Sequence, residues 1–237
     1  MVWAIFRREL AATFRTLVGP VAVVGCLLLF GVTTFYLSDL FARGVADLVP
    51  LFQWGPLVLA LTVPVITMRL MAEERRSGTL ELVRSLPIQS HELVLGKFLA
   101  GLTVIAMAVA GTLPYPLTVS LLGPLEAGPV LAGYLGLLLL AAALVAVGLL
   151  VSCLTESQAA AFFITESITV LWWAAGRYAD HAPLPVARAL EFVSIHSRFT
   201  SVARGVVDSR DLLAFAAVTT IALAGAAAML RRERLRQ

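Results

Sequence analysis

Four acids and five bases crowd the stretch from Met68 to Lys97, inside an otherwise apolar half of the chain. They are Glu73, Glu74, Glu81 and Glu92 against Arg69, Arg75, Arg76, Arg84 and Lys97. Interleaved charges of both signs suit a docking surface for a soluble protein, and they equally suit a solvated loop that merely obeys charge bias. Nothing in the stretch suits catalysis. His91, His181 and His196 are scattered without metal-ligand spacing. No nucleophile elbow, zinc-protease signature or phosphate-binding glycine loop occurs. Gly78 and its neighbours lack the Walker pattern of a nucleotide-binding loop. Glu166 is the one carboxylate well inside an apolar run. A charge at the bilayer centre costs about 2.5–3.5 kcal/mol on insertion scales. Glu166 therefore faces the bundle interior, a cavity or a partner chain, or it is protonated. Thr165, Ser167 and Thr169 stand near enough to hydrogen-bond it. Either it serves a translocation path or dimer seam, or it is a satisfied contact between helices.

The elements that must position these groups are membrane helices. Of 237 residues, 59% are hydrophobic and 14% charged, with a mean hydropathy of +0.91. Soluble domains carry about 25% charge. Inside a bilayer the backbone must satisfy itself, and no alternating barrel pattern is present, so the spans are helices. The expected fold is an all-α integral membrane protein of one domain, 1–237. Its six spans fall at about 17–38, 54–71, 98–122, 130–154, 159–176 and 212–230. Residues 3–16 form an interfacial helix, with Trp3, Phe6, Leu10 and Phe14 on one side and Arg7, Arg8, Glu9 and Arg15 on the other. The mixture of basic and apolar residues does not fit a cleavable signal peptide. Cys26 and Cys153 lie in apolar runs and read as packed thiols. The net charge of +3 is not a nucleic-acid signature.

Six spans place both termini on one side. That side collects Arg7, Arg8, Arg15, Arg69, Arg75, Arg76, Arg84, Lys97, Arg231, Arg232, Arg234 and Arg236, twelve of the eighteen basic residues. Arg43, Arg177, Arg188, Arg198, Arg204 and Arg210 fall opposite. The excess places both termini and the 73–97 loop in the cytoplasm. Within that loop, Glu73 to Arg76 end the second span and Ser77-Gly78-Thr79 turns. Thr79 caps a short helix with Glu81 in its first turn, where the helix dipole favours an anion. Leu80 and Val83 give that helix an apolar edge. Pro87 stops it, and Ser90 caps the next helix ahead of Glu92. Across the membrane, residues 177–211 hold an apolar stripe at helical spacing, Phe199, Val202, Ala203, Val206 and Val207. That segment is either an amphipathic helix dipping into the outer leaflet as a gate, or a surface anchor. Asp208 and Asp211 are placed to cap the last span, and Arg204 or Arg210 to pair with them.

The run TMRLMAEERRSGTLELVRSLPIQSHELVLGKF resembles the cytoplasmic loop of permease subunits of type-2, export-type ABC transporters. The likeness is nearest to the gliding-motility and nitrous-oxide-reductase-maturation subgroup. It is carried by Glu73, Glu74, Gly78, Thr79, Glu81, Pro87, Gly96 and Lys97, with Val83 where leucine is common. HSRFTSVARGVVDSRDLLAF is similar to the outer segment of those permeases, through His196, Phe199, Arg204, Gly205, Val206, Asp208, Arg210 and Asp211. The resemblance implies a coupling helix within 73–86 that docks on an ATP-binding subunit. Polar contacts would come from Glu73, Glu74, Arg75 and Arg76, and apolar anchors from Leu80 and Val83. It further implies a short re-entrant outer segment. Two copies of the ATP-binding subunit would use ATP and Mg, and this chain would bind no cofactor and catalyse nothing itself. A second permease copy, the same or different, would complete an exporter in a bacterial-type inner membrane. One rival is a subunit of the same architecture that passes force to periplasmic or envelope proteins without cargo. Another is a membrane enzyme, for which Glu166 has no His or Asp partner in sequence.

Overall fold

The computed structural model describes residues 1–38, 47–78, 88–179, 199 and 209–234. Among these every regular element is helical. An N-terminal helix α1 (Val2–Arg15) is followed by α2 (Val18–Gly31), which runs into a π-helical turn at Val32–Tyr36. Then come α3 (Val49–Leu70), a short α4 (Ala72–Arg76), α5 (Ser90–Ala110), a short α6 (Pro114–Ser120), α7 (Ala127–Leu154), α8 (Gln158–Ala179) and α9 (Ser209–Arg234). Six stretches of these helices are long and apolar enough to cross a membrane. The chain is a multi-pass membrane protein.

Burial separates centre from perimeter. The apolar windows of α3, α5 and α7 are about two-thirds buried, those of α2, α8 and α9 a third or less. Lipid tails offer no hydrophobic drive between helices, so the centre must be held by close packing. The α3–α7 pair does this along its length. Gly133 faces the Phe52 ring, Gly55 faces Leu137, and Gly148 faces Thr67. At each of these glycines an added Cβ would collide with its neighbour. Pro56 and Pro64 are buried within α3. At the far end of the bundle, Tyr115 donates to the Leu27 carbonyl at 3.3 Å. Tyr134 donates to that of Thr112 at 3.0 Å, pinning the turn between α5 and α6. Both cysteines are buried.

Three local expectations change. Glu73 to Arg76 do end the second span, Val49–Arg76, but only after a break: α3 stops at Leu70, and these residues belong to a separate turn of helix. Ser90 is not the cap of α5; Gln89 is, and its N–H donates to the Glu92 carboxylate at 3.1 Å. Glu92 stands three residues after Gln89, the spacing of a capping box, and that geometry outweighs the better intrinsic cap at Ser90. Finally, α1 keeps an outward aromatic side, with Trp3 stacked on Phe6 at 5.0 Å and Trp3 exposed. Its other side is not uniformly solvated: Ile5 is buried and Glu9 turns inward.

Candidate functional site

The charged residues of the loop gather at the end of the bundle that carries both chain termini. The geometry starts from a break in the second span. Helix α3 ends at Leu70, Met71 takes φ −126°, and α4 begins at once. A break frees amide groups that a bilayer-bordering site cannot leave unpaired. Ser152 of α7 resolves this. Its hydroxyl accepts from the N–H of Met71 at 3.1 Å and of Ala72 at 3.0 Å, and it donates to the Met68 carbonyl at 3.3 Å. The Leu70 carbonyl accepts from Lys97 Nζ at 2.6 Å. After α4, Gly78 adopts φ +70°, a left-handed conformation that glycine tolerates without strain.

Lys97 lies two turns into α5 and is 1% exposed. An ammonium has three protons to place, and all three have acceptors. Besides the Leu70 carbonyl, Nζ meets Glu9 Oε1 at 3.2 Å and Glu74 Oε1 at 3.1 Å. Arg8 reaches the same two oxygens, at 2.8 Å and 2.7 Å. Two cations thus share two carboxylates, and the quartet is neutral. The hydrogen bond to Glu9 raises the Arg8 pKa above its ordinary value, so this member stays charged. The quartet edges a cavity of about 390 Å³ between α1 and the end of α3. Gly96 allows α1 to come this close: a Cβ there would lie 2.7 Å from Ile5 Cγ2 and 3.1 Å from the Val2 carbonyl oxygen.

The anticipated coupling residues divide between two faces of α4. Glu74 faces inward to Arg8 and Lys97, and Arg75 pairs with Glu233 near the end of α9 at 2.6 Å. Glu73 is more exposed and pairs with Arg69 one turn back at 2.9 Å. Arg76, Ser77 and Gly78 face outward. Thr79, Leu80, Glu81 and Val83 lie outside the described residues, as do Arg204, Gly205 and Asp208 of the outer segment. Phe199 is buried in the core, and Arg210 and Asp211 open α9. Glu166 is elsewhere, on a half-buried line of α8. None of its three polar neighbours bonds its carboxylate. Ser167 donates to the Phe163 carbonyl, Thr169 to the carbonyls of Ala60 and Glu166, and Thr165 Oγ1 has no partner. Glu166 Oε2 is likewise unpartnered. Among the described residues, no three His, Cys, Asp or Glu side chains are grouped to hold a metal.

Reading residue by residue named Glu9 and Lys97 without joining them to Glu74, and it missed Ser152 and Glu233. Lys97 carried a signal: a lone ammonium inside an apolar helix demands partners. Ser152 carried none, since one hydroxyl in a run of Leu, Ala and Val has no pattern.

The match at Gly96 is testable. Gly96→Ala should lower the apparent stability of the purified protein by about 1–3 kcal/mol, the usual cost of overpacking. It should also speed tryptic cleavage at Arg7 and Arg8. An unchanged melting temperature with unchanged cleavage would show that α1 does not rest on this glycine.

Residues 52–228 match the family described as ABC-2 family transporter protein. No curated protein matches the chain.

Proposed function

The chain belongs to the ABC-2 family of transporter proteins, and on that footing we propose how this permease subunit of an ABC transporter is driven. Two ATP-binding subunits, which use ATP and Mg, dock on the outward face of α4 and the loop beyond it. Their closure pushes α4, and α3 and α5 carry the push to a path at the seam with a second permease copy. The base of the bundle then faces the cytoplasm of a bacterial-type cell, with both termini there, and the movement serves export. The likeness to the gliding-motility and nitrous-oxide-reductase-maturation permeases narrows this reading further.

The observation that carries the proposal is the two-faced construction of α4. A partner shifts a membrane helix only through its differential contact with two states, and a loose loop would absorb the push. Here the inward side of the short helix is tied to α1, α5 and α9 through Glu74 and Arg75. Its outward side leaves Arg76 and Ser77 exposed. A contact so mounted is stiff where it joins the membrane body and open where a partner would sit.

The seam with the second copy is proposed along α8. Its outer side exposes Phe163 and Leu171, which lipid would accept. Glu166, half-buried beside them, sets a carboxylate at that depth, which lipid would not accept. A second copy supplies polar groups at that depth.

Two experiments test the reading. Co-expressed with the ATP-binding subunit of its own transporter, the wild-type chain should co-purify with that subunit. Arg76→Glu should reduce recovery of the ATPase at least tenfold and leave the melting temperature alone, whereas Arg75→Glu should lower the melting temperature. If no ATPase associates, or Arg76→Glu leaves its recovery intact, the docking face is wrong. For the seam, Ser167→Cys should form an oxidant-induced cross-linked pair in native membranes. A chain that stays monomeric under oxidation would remove α8 from the seam.

A further inference from the structure

The break between α3 and α4 is not written into its own residues. Leu70, Met71 and Ala72 are good helix formers, with no proline, glycine or serine among them. Sharp kinks otherwise arise where a side chain inserts into the hydrogen-bond ladder. Ser152 is that side chain, and it comes from another span. Thr67 pressed against Gly148, one turn earlier on both helices, brings α7 close enough for its hydroxyl to reach.

The same two donors have a second solution. In an uninterrupted helix the N–H groups of Met71 and Ala72 bond the carbonyls of Thr67 and Met68. Ser152 could then bond its own i−4 carbonyl, that of Gly148, as serines in helices do. Two acceptor bonds are exchanged for two, and these two amides keep a partner in either arrangement. A joint with two fully bonded positions is what a discrete, switchable element requires.

We infer that Ser152 is a positioning residue of the coupling route: its hydroxyl holds α3 and α4 bent at Met71, and release of that clamp merges them into one straight helix. Lys97 supports the bent position by engaging the Leu70 carbonyl and Glu74 on either side of the joint. The role in coupling rests on the docking reading above; the clamp itself does not.

The test uses the full-length chain in lipid nanodiscs, with spin labels on cysteines placed at Arg76 and Glu156, both exposed. Cys26 and Cys153 are replaced by alanine in this background. Helix α4 is a rod of about 7.5 Å, so unbending a kink sharper than about 20° moves its tip by about 3 Å or more. Ser152→Ala, which strengthens the helical propensity of α7, should shift the distance by at least that amount. Ser152→Thr keeps the hydroxyl and should keep the wild-type distance. In the unlabelled complex with the ATP-binding subunit, which keeps Arg76, Ser152→Ala should lower the ATPase rate at least tenfold and Ser152→Thr should keep it. Identical distances for wild type and Ser152→Ala in the chain alone would overturn the clamp. A shift in the chain alone, with an unchanged ATPase rate for the Ser152→Ala complex, would reject the coupling role while leaving the bent joint in place.

Discussion

An ammonium group almost sealed from solvent is costly unless every proton has an acceptor and every charge a counter-charge. Lys97 meets that requirement only if three separate pieces of chain arrive together. Glu9 must come from α1, Glu74 from α4, and the Leu70 carbonyl from the open end of α3. Arg8 then balances the second carboxylate. The lysine therefore works as a locator. Withdrawing any one piece leaves a buried charge under-paired, so α1, the break and the short helix after it hold a common position.

Small residues and a single hydroxyl complete that position. Gly96, next to Lys97, lets α1 descend onto α5. Gly148 lets α3 meet α7, and Ser152 one turn on takes up the amides that the break releases. Arg75 extends the assembly to Glu233 near the end of α9. Close backbone approach supplies dispersion where lipid gives no hydrophobic drive. The polar bonds supply direction. Together they give α4 a firm inner side while its outer side stays open, the property that a lever needs if it is moved from outside the membrane.

Much of the architecture was legible because bilayer physics leaves few choices. Six apolar runs imply six helices, and the described residues hold six stretches long and apolar enough to cross a membrane. The aromatic stripe of α1 was readable from its period. Its inward face was not, because Ile5 and Glu9 are defined by residues some ninety positions away. The end of α3 was hidden for a similar reason: Leu70-Met71-Ala72 reads as continuous helix, and the break comes from Ser152 on another span. Glu74 and Arg75 read as charges for a soluble partner, and within the chain they also pair with Arg8, Lys97 and Glu233. Arg76 beside them keeps its outward position. Spacing alone separates such neighbours poorly, since both are simply charged residues in one turn of helix.

The claim that Lys97 unites these elements is tested most directly by a double-mutant cycle on stability, with Lys97→Met, Glu74→Gln and the pair together in the purified full-length chain. Each single change should destabilise the protein, and the double change should cost less than the sum by about 1–3 kcal/mol, as for residues that share one buried network. Additivity to within about 0.5 kcal/mol would mean that Lys97 and Glu74 do not depend on each other, and the hub would not be the feature that holds the base of this permease together.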